Sequence, residues 1–340
     1  MQKIILSQSL NRDLTAAISE CGHDNLFILT DEKTAQACLP VIQRYRCLRN
    51  ARHITVPQGD TNKNLQSLTT IWQYLSENGA TRHSLLINLG GFAAATFKRG
   101  IDIINIPTTL LAMVDASVGG KTGINFNGLK NEVGAFCDAR YVLLSTTFLK
   151  TLDSENLRSG YAEMLKHGLI STTERWAELV NYDLAQPDLA QLQHMVGQSV
   201  AVKQDIVAQD PHEHGIRKAL NLGHTIGHAF ESYAMQQGRP ILHGYAVAYG
   251  IICELYLSAV KTAFPTDRMR QTVNFIRENY GQMNITCDDY PALLDLMRHD
   301  KKNTAGTINF TLLGDIGDIR INQTATEEEI KEALDFYREG

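Results

Sequence analysis

Hydrophobic and polar positions follow two different periods along this chain, and the change falls near its middle. In the first half, short runs of β-branched and apolar residues alternate with stretches of helical period. The runs predict strands at Lys3–Leu6, Asn25–Leu29, His53–Val56, Ser84–Leu89 and Ile103–Ile106, with helices at Thr34–Tyr45 and at Thr61–Glu77, where Thr61 is the expected N-cap. This alternation predicts a mainly parallel, Rossmann-like sheet with helices on both faces, which binds ligands at the carboxyl ends of its strands.

From about Thr151 onward, helical periods replace the strand signals. They predict helices at Ser154–Ile170, Glu174–Tyr182, Leu189–Gln209, Leu220–Gln237, Gly244–Ala259, Arg268–Tyr280, Tyr290–His299 and Glu327–Arg338, with a hairpin formed by Thr307–Leu313 and Gly317–Ile321. We therefore expect an α/β domain at residues 1–150 and a mainly α-helical domain at 151–340. No low-complexity linker separates them, so the boundary is expected to be a tight hinge with a cleft.

Composition and charge narrow the class of protein. An apolar fraction of 44% and a charged fraction of 20% are typical of a globular protein, and the net charge of −5 disfavours nucleic acid as the main partner. The six cysteines are scattered, with no C-x-x-C pair, which argues against a disulfide framework or a cysteine-ligated zinc. No apolar run reaches membrane-spanning length, and the first residues read as a strand. We expect a cytoplasmic protein.

Three histidines lie in the segment from Gly215 to Gly250. His224 and His228 are four residues apart in a helical run, so their rings share one face, and His243 opens the next apolar helix. Three imidazoles from two elements are a candidate site for a divalent metal. The alternative, ordinary polar positions on packed helices, stays open on the pattern alone.

Segments that combine glycines with lysine or arginine form a second candidate binding site. Gly119-Gly120-Lys121-Thr122 is not a P-loop, because the first glycine of that motif would fall at Asp115. Glu163 and Lys166 are three apart on an apolar helix, where a buried carboxylate needs a cation as partner. The donors Lys121, Lys130, Lys166, Lys203, Arg217, Asn221, Lys301 and Lys302 predict a pocket for a small anion that carries both carboxylate and phosphate. Taken singly, each is more often a solvated charge.

Six segments in order resemble the 3-dehydroquinate synthases, the sugar-phosphate cyclases of the shikimate pathway. They are FKRGIDIINIPTTLLAMVDASVGGKTGIN, GLKNEVGAF, LRSGYAEMLKHGLI, LNLGHTIGHAFE, LHGYAVAYG and DKKN, and they span nearly the whole chain. The resemblance implies an N-terminal NAD-binding domain and a C-terminal metal domain. It also implies conversion of 3-deoxy-arabino-heptulosonate 7-phosphate to 3-dehydroquinate and phosphate, by transient oxidation with NAD, phosphate elimination, reduction and intramolecular aldol closure.

The same resemblance assigns roles to individual positions. Glu163, His224 and His243 match the ligands of a zinc or cobalt ion, so His228 becomes a substrate or phosphate contact, which corrects the three-histidine interpretation. Substrate-binding positions are Asp115, Lys121, Asn131, Lys166, Lys203, Arg217, Asn221 and either Lys301 or Lys302. NAD-binding positions are Asp60, Lys63, Thr108, Thr109, Lys121, Lys130, Phe148, Thr151 and Leu152. Arg99 matches an arginine that reaches the neighbouring subunit's site, which implies a homodimer.

One departure concerns the NAD pyrophosphate. The family carries a glycine-rich turn before the helix that here begins after Gly90-Gly91-Phe92, and about eight residues are missing, so the backbone N–H nest that a pyrophosphate needs is lost. Either a disordered loop was dropped from the sequence, or the chain has a true deletion, or other residues re-form the loop. We favour the first, which predicts a Gly90–Gly91 Cα separation far above ~3.8 Å.

Other functions remain open at this stage. Within enzymes, the rivals are a deoxy-inosose or valiolone synthase and a glycerol-dehydrogenase-like oxidoreductase. Arg217, Asn221 and the lysines of DKKN favour a substrate with a carboxylate, which ranks these rivals second. Because of the missing turn, a catalytically impaired homologue is a further alternative.

Overall fold

The computed structural model describes residues 2–89, 93–127, 129–299 and 308–339, with the backbone alone at residues 129 and 130. The chain divides into two compact units. The first comprises Met1–Leu152 with Leu189–Gln193, and the second comprises Asp153–Asp188 with His194–Gly340. Each unit is therefore continuous in sequence, except that residues Leu189–Gln193 belong to the first unit.

The first unit is built on a six-stranded parallel sheet. Its strands are β1 (Lys3–Leu6), β2 (Leu26–Asp31), β3 (Arg52–Val56), β4 (Leu85–Asn88), β5 (Asp102–Asn105) and β8 (Tyr141–Leu144), in the order β1-β8-β5-β4-β2-β3. The helices of this unit are α1 (Leu10–Cys21), α2 (Glu32–Ala37), α3 (Leu39–Ile42), α4 (Leu65–Glu77) and α5 (Ala93–Thr96). Leucine and isoleucine occupy the first three positions of β4, because a strand covered on both faces has no polar side. The expected α/β architecture is confirmed.

The strand order identifies the edge at which a ligand is expected. After β2 the chain continues to β3 on one side, whereas after β4 it continues to β5 on the other. The carboxyl ends of β2 and β4 therefore flank the point where the winding reverses, and such points form the ligand crevice in open parallel sheets. The last residues of β4 and β5 are polar, with the Asn88 amide donating to Asn105 Oδ1 at 2.8 Å.

Several local predictions in this unit were wrong. The glycine-marked segment that carries Lys121 and Lys130, for which no strand was predicted, is a hairpin of β6 (Lys121–Phe126) and β7 (Leu129–Phe136), in which Gly123 pairs with Gly134 across the strands and obscures the alternation. Strand β8 and helix α1 were not predicted. Helix α4 begins at Leu65 and not at Thr61, because Asn64 Oδ1 accepts the Ser67 N–H at 3.1 Å and the preceding residues form a 3₁₀ turn.

The second unit is mainly helical, as expected. Its helices are α6 (Ser154–Leu169), α7 (Thr173–Val180), α8 (Leu189–Gln209), α9 (His224–Gln236), α10 (His243–Thr262), α11 (Thr266–Tyr280), α12 (Tyr290–Arg298) and α13 (Glu327–Glu339). The first five residues of α8 belong to the first unit. Strands β9 (Asn309–Asp315) and β10 (Asp318–Thr324) form an antiparallel hairpin. Among the residues described, no helix has the length and apolarity needed to cross a membrane.

Helix α10 lies at the centre of this unit. It packs against α6, α9, α11, α13 and β9, and it is buried on all sides through most of its length. Glycines permit the closest contacts: a Cβ on Gly244 would lie 1.8 Å from the Ser159 carbonyl oxygen, and a Cβ on Gly250 would lie 2.0 Å from that of Gly223. The backbone of α10 therefore approaches the backbones of α6 and of the start of α9 directly.

Candidate functional site

Glu163, His224 and His243 converge on one point in the second unit. Glu163 lies in the middle of α6 and is fully buried, while the two histidines are the first residues of α9 and α10. Nε2 of His224 is 3.4 Å from Glu163 Oε1, and Nε2 of His243 is 3.5 Å from the same oxygen. The structure thus brings together the three side chains that the resemblance nominates as metal ligands.

The spacing of these three atoms fits a divalent cation. Ligand atoms about 2.0–2.2 Å from a tetrahedral metal lie about 3.3–3.6 Å apart, and both separations to Glu163 Oε1 fall in this range, while the three ligand atoms all lie within 4.8 Å of one another. Oε1 of Glu163 is buried and makes no hydrogen bond of regular geometry in the structure. One carboxylate oxygen and two imidazole nitrogens are ligand atoms that suit zinc or cobalt. A cation bound between them would also satisfy the buried oxygen, which otherwise makes no regular hydrogen bond.

Lys166 fixes the other carboxylate oxygen. Its ammonium, buried on the next turn of α6, donates to Glu163 Oε2. Burial raises the pKa of the Glu163 carboxyl, but the charges of Lys166 and His224 hold it well below its usual range. The carboxylate is therefore ionised, with Oε2 turned to the lysine and Oε1 turned to the imidazoles.

The second nitrogen of each imidazole faces an acceptor. Nδ1 of His224 is 3.1 Å from the Leu222 carbonyl oxygen, and Nδ1 of His243 is 3.3 Å from Glu231 Oε2. With a cation bound and the remaining proton on Nδ1, both rings would direct the lone pair of Nε2 to the point that Glu163 Oε1 also faces. This is the tautomer that a metal ligand needs.

His228 lies beside the trio. Its ring centroid is 5.3 Å from that of His224 and 6.0 Å from that of His243. Ligand atoms of His228, Glu231 and His243 also lie within 4.8 Å of one another. His228 therefore neighbours the candidate metal centre.

A buried carboxylate caps the helix that carries His224. Oε2 of Glu254 accepts the Gly223 N–H at 2.7 Å, and Oε1 accepts the N–H groups of Thr225 and Ile226 at 3.0 and 3.3 Å. Gly223 has a φ of 79°, a left-handed conformation that glycine adopts without strain, and this turns the chain into α9. The Glu254 carboxylate on α10 thus binds the first turn of α9 through three backbone N–H groups.

Arg217 and Asn221 lie on the 3₁₀ turn that precedes α9. The Arg217 guanidinium donates to the Pro211 carbonyl oxygen at 2.5 Å, and the Asn221 amide donates to Glu213 Oε1 at 3.0 Å. Partial desolvation raises the pKa of Asp210, but backbone N–H groups of the same loop outweigh it and lower that pKa to about 2. An acidic loop thus contacts both predicted substrate-binding residues, through the Arg217 backbone N–H and the Asn221 side-chain amide. Lys203 lies buried on α8 of the same unit.

In the first unit, the predicted NAD positions follow the carboxyl ends of strands. After β3, Asp60 and Lys63 lie in the 3₁₀ turn that the β6–β7 hairpin contacts: Asn125 donates to the Asp60 carbonyl oxygen at 2.8 Å, and Lys63 donates to Asn131 Oδ1. Asn131 has a φ of 51°. The hairpin therefore brings this predicted substrate-binding residue onto a predicted cofactor-binding turn.

The remaining predicted positions of this unit lie after β5 and β8 and on the hairpin. Thr108 and Phe148 are buried, Thr109 Oγ1 accepts the Ala112 N–H at 3.1 Å, and Thr151 Oγ1 donates to the Phe148 carbonyl at 3.0 Å. Phe148 and Thr151 lie in the 3₁₀ turn Thr146–Thr151, and Leu152 follows it as the C-cap. Asp115 lies in a π-helical turn, and Lys121 is exposed at the start of β6.

Arg99 lies in a strained segment. Lys98 and Arg99, both exposed, have φ values of 49° and 72°, and two successive non-glycine residues in the left-handed region cost about 1–2 kcal/mol each. Such strain persists where the surrounding structure imposes it, and it clusters at functional sites.

Some predicted features lie outside the described residues. These are Lys301 and Lys302, the side chain of Lys130, and the Gly90–Gly91 peptide with its predicted Cα separation. Strand β4 ends at Asn88 and α5 begins at Ala93, so four residues connect them.

Sequence reasoning missed three acidic residues that contact predicted site residues or the helix that carries them: Glu213, Glu231 and Glu254. Glu231 carried a usable signal, since it lies seven residues after His224 and three after His228, on the same helical face. Glu254 carried none, because its partners lie about thirty residues away on another helix.

Comparisons with known proteins agree over the whole chain. The family model described as 3-dehydroquinate synthase N-terminal matches residues 53–159, and the model described as 3-dehydroquinate synthase C-terminal matches residues 160–303. The 3-dehydroquinate synthase of Parabacteroides distasonis is 53% identical over 347 residues, covering 100% of this chain and 98% of its own length. That of Oceanobacillus iheyensis is 36% identical over 346 residues, covering 99% and 95%.

Solved structures share the fold. A 2-deoxy-scyllo-inosose synthase complexed with carbaglucose-6-phosphate, NAD⁺ and Co²⁺ superimposes with a TM-score of 0.85 at 22% identity, covering 100% of this chain and 96% of its own. A 2-epi-5-epi-valiolone synthase from Streptomyces hygroscopicus with NAD⁺ and Zn²⁺ bound gives a TM-score of 0.86 at 22% identity, covering 100% of this chain and 97% of its own.

The sequence alignment with the Parabacteroides relative is longer than this chain. It has 347 positions against 340 residues here, so at least 7 positions of the relative lack a counterpart in this chain.

Proposed function

Because the chain belongs to the 3-dehydroquinate synthase family, we propose that it converts 3-deoxy-arabino-heptulosonate 7-phosphate to 3-dehydroquinate and inorganic phosphate. The reaction is a phosphate-eliminating cyclisation, a carbon–oxygen lyase step of the shikimate pathway, which leads to the aromatic amino acids. The observation that carries the proposal is the convergence of Glu163, His224 and His243, in a chain that is 53% identical to a full-length relative of that name.

The second unit is proposed to hold one divalent cation, zinc or cobalt, through Glu163, His224 and His243. When bound, the cation would lower the pKa of a substrate hydroxyl, which favours loss of hydride from the carbon that bears it, and would polarise the resulting carbonyl for return of the hydride. Lys166 keeps the Glu163 carboxylate turned towards the imidazoles by binding its other oxygen. His228 is proposed to contact the substrate, because its ring lies beside the ligand trio.

Arg217, Asn221, Lys203 and Lys166 are proposed to hold the anionic groups of the substrate. Guanidinium and ammonium groups bind carboxylate and phosphate by charge-assisted hydrogen bonds, and an ordered acidic loop already fixes the backbone at Arg217. Positioning of this kind supplies much of the rate enhancement in a reaction where phosphate leaves by elimination. Asp115, Lys121, Asn131 and Lys301 are proposed as further substrate contacts.

The first unit is proposed to bind NAD, which accepts a hydride from the substrate and returns it later in the same turnover. The reversal of winding between β2 and β4 supports this assignment, as do the predicted contacts after β3, β5 and β8. These contacts are Asp60, Lys63, Thr108, Thr109, Lys121, Lys130, Phe148, Thr151 and Leu152.

The test of the function is a phosphate-release assay with the heptulosonate phosphate. We expect release that depends on added NAD and stops on addition of a chelator, with no release from hexose phosphates. Separately, calorimetric titration with NAD tests the first unit. Saturable NAD binding is expected, whereas its absence together with absent phosphate release would mean that the short β4–α5 connection has abolished cofactor binding.

We also propose a homodimer in which Arg99 reaches the neighbouring subunit's site. Its exposure and its strained backbone support this role. Mixing Arg99→Ala subunits with Glu163→Gln subunits tests it, because a mixed dimer then contains one intact site. We expect the mixture to regain about a quarter of the wild-type rate, while each parent alone stays weak. A mixture no faster than its parents would refute the shared site.

The proposed compartment is the cytoplasm. All six cysteines are free thiols, which suits a reducing environment.

A further inference from the structure

The carboxylate of Glu231 contacts the candidate metal centre without belonging to it. Its Oε2 lies 3.3 Å from Nδ1 of His243, and the Nε2 of the same ring lies 3.5 Å from Glu163 Oε1. A single imidazole is thus placed between two carboxylates, one on each ring nitrogen. A neutral imidazole has one N–H, so it can donate to only one of them.

We propose that Glu231 is a positioning residue of the metal centre: its carboxylate accepts a hydrogen bond from the Nδ1–H of His243, which keeps the proton on Nδ1 and directs the Nε2 lone pair towards the cation. This inference rests on the cation site of the proposed function. A carboxylate acceptor also makes the imidazole a stronger electron donor, as in the carboxylate–histidine–metal arrangements of other metalloproteins.

The two candidate histidine ligands differ in how this proton is held. His224 uses the backbone carbonyl of Leu222, a neutral acceptor that no side-chain substitution removes. His243 relies on a charged side chain. The tautomer of His243, unlike that of His224, therefore depends on one replaceable residue.

The position of Glu231 is set by rigid packing. It lies on the face of α9 that carries His224 and His228, and α9 meets α10 so closely that a Cβ on Gly227 would be 2.8 Å from the Ala246 carbonyl oxygen. Glu231 is half-buried, with 18% of its side chain exposed. The helix contact thus presents the carboxylate to Nδ1 without a mobile loop.

The chain offers a matched control on the same helix. Tyr233 of α9 donates its hydroxyl hydrogen bond to Asp289 Oδ1, a carboxylate that contacts no described histidine. Asp289→Asn removes a hydrogen-bonded charge next to α9, as Glu231→Gln does, but leaves the ring nitrogens of His243 unaffected. Glu231→Asp keeps the charge and shortens the reach.

The experiment is competition for Co²⁺ between a chromophoric chelator and the metal-free full-length protein. Glu231→Gln is expected to raise the Kd for Co²⁺ about 10- to 100-fold and to change the visible absorption of bound Co²⁺. Glu231→Asp should fall between, and Asp289→Asn should match the wild type. A wild-type Kd and spectrum for Glu231→Gln would overturn the proposal.

A second measurement uses the wild type and does not depend on the folding of a variant. In the zinc-loaded protein, proton–nitrogen correlation spectra of the histidine rings should show His243 protonated at Nδ1. A proton on Nε2 would overturn the proposal. Because neither measurement includes substrate, failure here is distinguishable from failure of the proposed function, which would appear as absent phosphate release by the wild type.

Discussion

Gly244 and Ser159 lie in direct backbone contact. The Gly244 N–H donates to Ser159 Oγ at 3.0 Å, and any side chain on Gly244 would collide with the Ser159 carbonyl oxygen. Gly244 follows His243, and Ser159 lies one turn before Glu163 on α6. The contact that joins the two helices therefore also sets the distance between two of the candidate metal ligands.

Gly244→Ala should separate these helices. A Cβ at 1.8 Å from a backbone oxygen forces a shift, and overpacking of this kind costs about 1–3 kcal/mol. We expect a lower melting temperature and weaker Co²⁺ binding together. Gly238→Asn, at an open left-handed position that asparagine tolerates, is the control and should retain wild-type metal affinity. Unchanged Co²⁺ binding in Gly244→Ala would show that the helix contact does not govern the centre.

Glu163→Gln should remove the bound metal and the activity. The change deletes the anionic ligand and leaves the buried Lys166 ammonium without its carboxylate, a loss of about 3 kcal/mol in stability. Loss of the Lewis acid should lower kcat about 10³-fold, about 4 kcal/mol in the barrier. Elemental analysis and phosphate release measure both effects. Glu329→Gln, which alters a more exposed pair with Lys261, should change neither.

Metal affinity should rise with pH. In the metal-free protein, burial lowers the pKa of His243, but close contacts with the Glu163 and Glu231 carboxylates outweigh it and raise that pKa to about 10. A cation must therefore displace a proton, so affinity should increase about tenfold from pH 7 to pH 8, with close to one proton released per metal. Titration in weak buffer measures both quantities. An affinity independent of pH would contradict a protonated His243.

The same pKa links His243 to stability in the metal-free protein. The folded-state value lies above the ordinary 6.5, so the folded state binds the proton more tightly than the unfolded chain. Its stabilising contribution is fully present below about pH 6.5 and is lost as the pH rises towards about 10. We expect the melting temperature of the metal-free wild type to fall over this range more steeply than that of His243→Gln.

Glu254→Gln should destabilise the second unit through the N-terminus of α9. The glutamine keeps one oxygen acceptor but loses the charge that the N–H groups of Gly223, Thr225 and Ile226 share. Hydrogen bonds to charged groups contribute about 1.5–3 kcal/mol, so the free energy of unfolding should fall by about that amount. Chemical denaturation measures it. Glu278→Gln, on α11, is the surface control and should leave stability within about 0.5 kcal/mol.

Sequence periodicity predicted long elements better than short ones. Helix α8 was predicted with the bounds that the structure has, because twenty-one residues give a clear period. Strand β8, the four apolar residues Tyr141–Leu144, was missed because so short a run cannot be told from part of a buried helix. The β6–β7 hairpin was missed because glycines replaced its alternating side chains.

For the site, the residue assignments came from ordered motifs and remain predictions, although the structure brings the three metal candidates together. Spacing alone pointed to His228 as a ligand, since i and i+4 share a helical face. It could not reveal Glu163, because the closeness of α6 to α9 and α10 arises from tertiary packing. Glu231 and Glu254 were missed for the same reason, because their contacts with the N-termini of α10 and α9 arise from the packing of the helices and not from spacing in the sequence.

His243 is the first residue of its helix, and the connection before it, Gln237 to Leu242, is mostly exposed. The contact of Gly244 with Ser159 locks the helix start in place, so extra residues in this connection would bulge into solvent without rotating the imidazole. We therefore expect this stretch of surface to accept a grafted tag or reporter peptide without loss of metal binding at His243.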